Sequence, residues 1–219
     1  MKITRIPTLR TVEAFREYVA SLGIDLQVED AIAAGPDSPL TAPLRWGGRT
    51  IGNRWAVHPM EGWDGTAFGG VTEPMIRRWE RFGESGAKLI WGGEAMAVKP
   101  EGRANPNQII INEANKAGLA KLRDALVKAH ERNFGRTDDL VVGFQLTHSG
   151  RFCRPNDKKK LEPRVAYRHP ILDRKFNVTS DAQVMSDDEL KRLVDDYAAA
   201  ARVASEAGAD FVDIKHCHG

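Results

Sequence analysis

No stretch of this 219-residue sequence strings together the roughly 20 apolar residues that a membrane-spanning helix needs. Cysteine is nearly missing. Cys153 and Cys217 are the whole supply, too few for a disulfide framework, so a reducing compartment is the default and both read as plain thiols. Net charge almost cancels: 32 Lys and Arg against 30 Asp and Glu leave +2. That balance gives no electrostatic footprint for nucleic acid, and the run Lys158-Lys159-Lys160 reads as a solvated loop face. The stretch from Met1 to Arg10 has basic residues but no apolar core for a secretory signal. These absences lead to an expected cytoplasmic protein with no nucleic acid and no membrane as partners, and they leave homo-oligomerisation open. A further absence is the G-x-G-x-x-G pattern, so the usual dinucleotide-binding signature is not there.

What is present is ordinary globular material, 42% hydrophobic and 28% charged, long enough for one good-sized core. Residues 1–50 read as an N-terminal extension. In it Val12, Phe15, Val19 and Leu22 recur at helical spacing and Gly23 is a natural stop. Gly35 to Pro39 marks a loop, and Leu44 to Ile51 suits a short hairpin turning at Gly47-Gly48.

From residue 51 to 219 short apolar runs alternate with helical patterns. The runs are Trp55-Ala56-Val57, Lys88 to Trp91, Leu140 to Gln145, and Phe211 to Ile214. Between them a helix starts near Thr72, carrying Ile76, Trp79 and Phe82 inward. Another runs from about Asn115 to Arg132 with Leu119, Leu122, Leu126 and Ala129 on one face. The capping box Ser186-x-x-Glu189 opens a third, with a stripe of Leu190, Leu193, Val194, Tyr197 and Ala201. Strands apolar on both faces and alternating with helices imply a parallel sheet covered by helices. An open doubly wound sheet and a barrel both fit that pattern. Long polar loops after the strands, notably Arg151 to Met185, suit the mouth of a (β/α)8 barrel, where such folds keep their sites. A complete barrel takes about 250 residues, and four strands cannot close one. The expectation is therefore a TIM barrel of which this chain covers about the first four βα units.

The residues just past each strand carry the chemistry in such an architecture. They are His58-Pro59-Met60-Glu61-Gly62-Trp63-Asp64, then Gly92-Gly93-Glu94-Ala95-Met96, then Gln145 to Arg151, then Lys215-His216-Cys217-His218-Gly219. Glycines there permit close backbone approach to a flat ligand. The planar amide of Gln145 offers a donor and an acceptor to a ring edge that shows both.

Four motifs bear a resemblance. Asn53-Arg54-x-x-x-x-Pro59-Met60 comes first. Glu94-Ala95-Met96-Ala97-Val98 with Pro100-Glu101-Gly102-Arg103 follows. Then come Gln145-Leu146-x-His148-x-Gly150-Arg151 and Gly208-Ala209-Asp210-Phe211-Val212-Asp213-Ile214-Lys215-x-x-His218-Gly219. In order and spacing the stretch from about Asn53 to Gly219 resembles the N-terminal half of the Old Yellow Enzyme family of NADH:flavin oxidoreductases. The resemblance implies FMN as cofactor, NADH or NADPH as reductant, and hydride transfer to an activated alkene or related small molecule. It implies that His58, Pro59, Met60 and Glu61 lie along the flavin. Ala95 would sit beside it where little more than a methyl fits, and Gln145 would hold its pyrimidine edge. Trp63 would pack on substrate. Lys215 and His218 would be the catalytic pair of donors to the substrate oxygen, where negative charge builds in the transition state.

Two residues depart from the family pattern. Lys215 stands where histidine is common, which suggests a more anionic substrate. Glu61 replaces a small residue and is expected to make the flavin harder to reduce. The family's proton-donating tyrosine and its phosphate-binding loops would fall after Gly219, so the 219-residue chain alone is expected to bind FMN poorly and to turn nothing over. Duller readings stand beside these: Gln145 as a satisfied polar group at a strand end, Trp63 as a loop anchor, His148 as a structural hydrogen-bonder, Lys215 as a salt-bridge partner of Asp213 or a neighbour, His130 and His169 as surface residues. Two other functions compete. His216-x-His218 after a barrel strand is similar to the metal pair of amidohydrolase-type barrels, although no further ligand set is visible and no metal is expected. A non-catalytic barrel scaffold is the other.

Overall fold

The structure, a computed structural model, describes residues 4–219. The chain divides into two compact units, Met1–Ala42 and Pro43–Gly219. In the first, helix α1 (Val12–Ser21) opens at Thr11, whose hydroxyl accepts the Ala14 N–H at 3.1 Å, the usual solution for orphaned first-turn donors. It closes before Gly23, which takes φ +68°. Arg16 pairs with Asp30 at 2.6 Å within the same unit.

The second unit begins with an antiparallel hairpin of β1 (Leu44–Trp46) and β2 (Arg49–Ile51). Gly47 and Gly48 both have positive φ, as the tight turn requires. Then come β3 (Ala56–Val57), α2 (Glu73–Glu84), β4 (Leu89–Ile90), β5 (Ala95–Ala97), α3 (Lys116–Phe134) and β6 (Val141–Thr147). After these follow α4 (Leu172–Phe176), α5 (Asp187–Glu206) and β7 (Phe211–Lys215). Strand β3 pairs with β4, β6 pairs with β7, and β4 and β5 both pair with β6, all in parallel.

Strands β4 and β5 are two halves of one strand position. Ile90 sits opposite Val142, but Ala95 sits opposite Gln145. The segment from Trp91 to Glu94 therefore spans what Gly143 and Phe144 span on β6, and the surplus is taken up in a bulge. Gly92 at φ +130° and Gly93 at φ +50° make that bulge feasible. A Cβ on Gly93 would lie 2.8 Å from the Trp79 ring. The sequence reading has one strand from Lys88 to Trp91 and no pairing after it. The structure resumes the ladder at Ala95 and carries it to Ala97.

Four strand positions in chain order, with α2, α3 and α5 between them, make a partial (β/α)8 barrel. The outer sheet face supplies Ile90, Met96, Val142, Phe144 and Leu146 to the core. Helix α2 meets them with Met75 and Trp79, α3 with Leu119, Leu122 and Leu126, and α5 with Ala200, Val203 and Ala204. Trp79 stands edge-on to Phe144, centroids 5.8 Å apart. Two positions differ from the sequence stripe. Val194 of α5 is 68% exposed, because the small residues Ala200 and Ala204 form the close face and the first half of the helix packs less deeply. His130, read as a surface residue, is fully buried. It lies one turn beyond Leu126 on the apolar face of α3. Its Nδ1 meets the Gly83 carbonyl at 3.0 Å, and its Nε2 meets Lys88 Nζ at 2.8 Å, while Lys88 also bonds Asp139 at 2.8 Å.

The hairpin, read from sequence as part of the extension, lies in the larger unit. Trp46 packs edge-on to Phe211 at 5.7 Å, Phe211 packs on Trp91 at 5.3 Å, and Arg49 pairs with Asp210. These contacts plug the end of the strands opposite the rim. Among the described residues no helix is long and apolar enough to cross a membrane.

Helices α2 and α3 cross so closely that a Cβ on Gly83 would overlap the Leu126 carbonyl and come within 3.0 Å of Ala129 Cβ. Gly83→Ala, worth about 1 kcal/mol of stabilisation in an ordinary helix interior, is therefore expected to destabilise by about 1–3 kcal/mol. Urea unfolding measures this, and a stabilised variant would contradict the crossing.

Candidate functional site

Pleating puts alternate strand residues on one face. With Phe144 and Leu146 in the outer core, Gln145 and Thr147 face inward, and so do their register partners Ala95 and Ala97 on β5 and Asp213 and Lys215 on β7. The inward column of β7 thus climbs from Phe211 through Asp213 to Lys215. The segment after β3 joins the same rim. Met60 bridges Glu94 in parallel, and a Cβ on Gly92 would lie 3.1 Å from Gln145 Cβ and 3.2 Å from Pro59 Cβ. Pro59, Ala95, Gln145 and Lys215 therefore meet at one end of the sheet. His58 and Met60 are exposed there. Ala95 is 1% exposed, and its carbonyl accepts the Gln108 amide at 2.9 Å.

Hydrogen bonds fix the polar members. Gln145 Nε2 donates to Asp213 at 2.6 Å. Lys215 Nζ meets Glu61 Oε1 at 3.1 Å, and the Trp63 indole N–H donates to Glu61 Oε2 at 3.0 Å. Of the two partners read for Lys215, Asp213 or a neighbour, the structure selects the neighbour: Asp213 is engaged with Gln145, and Glu61 reaches in from β3's loop to take the ammonium. Trp63 holds a left-handed backbone, φ +52°. That conformation costs about 1 kcal/mol or more for a bulky residue, and such strain concentrates at functional sites.

His218 is placed less simply. Its carbonyl accepts the Arg151 N–H at 3.1 Å, its ring packs on Phe152 at 4.5 Å between centroids, and its Nδ1 is buried without a partner. Burial, and then the nearby Lys215 charge, push its pKa below the usual histidine value, so the imidazole is neutral at pH 7. His148 is structural in its contacts. Its Nδ1 accepts the Gly150 N–H at 3.2 Å, and burial drives its pKa down to about 4. His216 is exposed, and among the described residues no group of three or more His, Cys, Asp or Glu is placed to hold a metal ion.

Sequence reasoning missed the braces under this rim. Glu94, its side chain 2% exposed, accepts the Gly62 N–H at 2.7 Å and Arg78 at 2.7 Å, while Arg78 also grips Asp64 at 2.6 Å. Burial raises the Glu94 pKa, and the Arg78 hydrogen bond lowers that of Asp64. Nothing in the pattern of α2 distinguishes Arg78 from Arg77 beside it. Asp64 and Glu94 did stand at two strand ends, which was the available signal. Arg103 laces the loops with carbonyl acceptors alone. It donates to Pro100 at 3.0 Å, Ala67 at 2.9 Å and Pro155 at 3.0 Å, from the loops after β5, β3 and β6.

The inward face fits one edge of a flat heteroaromatic ring. Alanines 95 and 97 leave it smooth, and Gln145 spends one N–H on Asp213. Its amide oxygen and second N–H carry no other hydrogen bond among the described residues. Thr147 Oγ1 is buried there without a partner. A cavity of about 660 Å³ lies elsewhere, on the α5 side of β7 against Leu193, Val194, Tyr197 and Ile214. It reaches Lys215 and His218 but not Gln145 or Ala95, so the candidate site rests on hydrogen bonding and register rather than on that hollow.

The profile of the NADH:flavin oxidoreductase / NADH oxidase family matches residues 39–219. The chain belongs to this family. Membership implies FMN and a nicotinamide reductant. The NADPH dehydrogenase of Bacillus subtilis (strain 168) is 28% identical over 185 residues, covering 82% of this chain and 48% of that protein. Among solved structures, the Old Yellow Enzyme homologue from Zymomonas mobilis superposes with a TM-score of 0.60 at 27% identity, covering 80% of this chain and 47% of that one. A 2-naphthoyl-CoA reductase superposes with a TM-score of 0.63 at 18% identity, covering 80% and 27% respectively, a likeness of fold. The chain spans about half the length of the curated relatives that match along most of it.

The family chain carries three imidazoles whose pKa is lowered by burial, His130, His148 and His218. Each is neutral when folded and takes up a proton near pH 6.5 when unfolded. Their stabilisation is complete above that value and is lost as pH falls toward the folded pKa. For His148 the loss amounts to roughly 3 kcal/mol by about pH 4. Unfolding midpoints measured from pH 7 to 4 are expected to fall steadily in the wild type and less steeply in His148→Gln. Parallel slopes would contradict this.

Proposed function

We propose that this chain forms the flavin-facing half of an FMN-dependent oxidoreductase that passes hydride from NADH or NADPH to an activated alkene or a related small molecule. The half barrel and its leading hairpin occupy residues 43–219, and residues 1–42 form a separate unit ahead of them in sequence. The observation that carries the reading is the convergence of Pro59, Ala95 and Gln145, with Asp213 orienting the glutamine amide. The protein is cytoplasmic, in keeping with two free cysteines, and its substrate is small.

Bound FMN supplies the hydride. The chain's own residues do the rest. His58 to Glu61 run along the ring, Ala95 lets it approach, and Gln145 meets its pyrimidine edge. Trp63, held by Glu61, offers its indole face to the substrate. Lys215 and the neutral His218 donate to the oxygen on which negative charge builds. Such donors act more strongly on the transition state than on the ground state, and losing one costs about 3–4 kcal/mol in comparable sites. With Lys215 already bonded to Glu61, the hindrance to flavin reduction expected of a bare Glu61 carboxylate is partly cancelled.

Titrating the chain against FMN and following flavin fluorescence tests the reading. Weak but saturable binding is expected. Gln145→Leu should weaken it about tenfold, since roughly 1.4 kcal/mol of ring-edge hydrogen bonding is lost. No saturable binding up to millimolar FMN, or identical binding by the variant, would contradict it.

A further inference from the structure

A lysine in place of histidine, taken alone, argues for anionic substrates. The geometry around Lys215 argues the reverse. Its ammonium sits 3.1 Å from Glu61 Oε1, with the two side chains only 22% and 12% exposed. The other Glu61 oxygen is taken by Trp63 at 3.0 Å, so the carboxylate is gripped at both ends and cannot turn aside freely. Two residues below Lys215 on the same inward column, Asp213 adds a second carboxylate, engaged with Gln145. An anion arriving at Lys215 meets one ammonium and two carboxylates. A neutral carbonyl or nitro oxygen meets a different site. An ammonium has three N–H donors, and Glu61 occupies one of them, so two remain for an incoming acceptor.

We propose that Glu61 sets the charge selectivity of the rim: by pairing with Lys215 it fixes the ammonium for a neutral acceptor oxygen and turns away ligands that carry negative charge. The inference rests on reading Lys215 as a substrate donor. Glu61 acts here through Lys215 and is a positioning residue. A lysine stem without it is flexible, and a lone half-buried ammonium attracts anions.

Benzoate and benzamide share shape and differ in charge. Calorimetric titration of each into the flavin-free 219-residue chain gives the test, with wild type, Glu61→Gln, and Glu61→Gln combined with Lys215→Met. Removing a charge a few ångströms from the ligand is expected to tighten benzoate at least about tenfold in Glu61→Gln and to change benzamide by no more than about twofold. The added Lys215→Met should abolish the gain. A gain in affinity does not arise from misfolding, so a damaged variant cannot mimic support. Benzoate binding no tighter in Glu61→Gln, or a gain that survives Lys215→Met, overturns the inference. The FMN titration reports separately on the flavin reading. Charge selectivity without flavin binding sinks that reading alone, and flavin binding without charge selectivity sinks this inference alone.

Discussion

Strand β6 holds the molecule together. Its seven residues pair with β4, then with β5, on one side and with β7 on the other. Because its side chains alternate, the outward set, Val142, Phe144 and Leu146, anchors the core under three helices, while the inward set, Gln145 and Thr147, faces the rim. The ladder thus converts core packing into site geometry. A one-residue slip would bury Gln145 against Trp79 and turn Phe144 to the rim. The glycine bulge before β5 protects that register, since it lets a longer segment rejoin the ladder with Ala95 opposite Gln145.

Around this frame the polar groups are arranged in pairs. Gln145 with Asp213, Lys215 with Glu61, and Arg78 with Glu94 and Asp64 each link residues far apart in sequence. Half-buried charges of this kind need partners. Their pairing explains how four strand ends and three long loops hold one arrangement without a covalent tie. Arg103 does the same for loop carbonyls that would otherwise lack donors.

Much of the fold was legible. Gly23 stops the first helix, Ser186 and Glu189 cap α5 in a full capping box, and the apolar runs mark all four strand positions. Those signals are local, and local chemistry decides them. The failures were non-local. Whether His130 faces water depends on α3 lying against α2 at Gly83. Which neighbour Lys215 pairs with depends on the loop after β3 bringing Glu61 to it while Gln145 engages Asp213. The interrupted second strand could not be seen without its partner, since Ala95 to Ala97 becomes a strand only by pairing with β6. For the candidate site, Pro59, Ala95 and Gln145 were named through resemblance, whereas the role of Arg78 and the pairing of Asp213 with Gln145 emerged only from their contacts.

Backbone hydrogen exchange with and without FMN tests the central claim most directly, because it maps where the ligand lands without presupposing a role for any side chain. The account predicts that added FMN slows exchange in residues 58–62, 92–97 and 145–149, three segments that meet only at the rim. Slowed exchange confined to α5 and residues 212–214 beside the large cavity, or no change anywhere at saturating FMN, would contradict it.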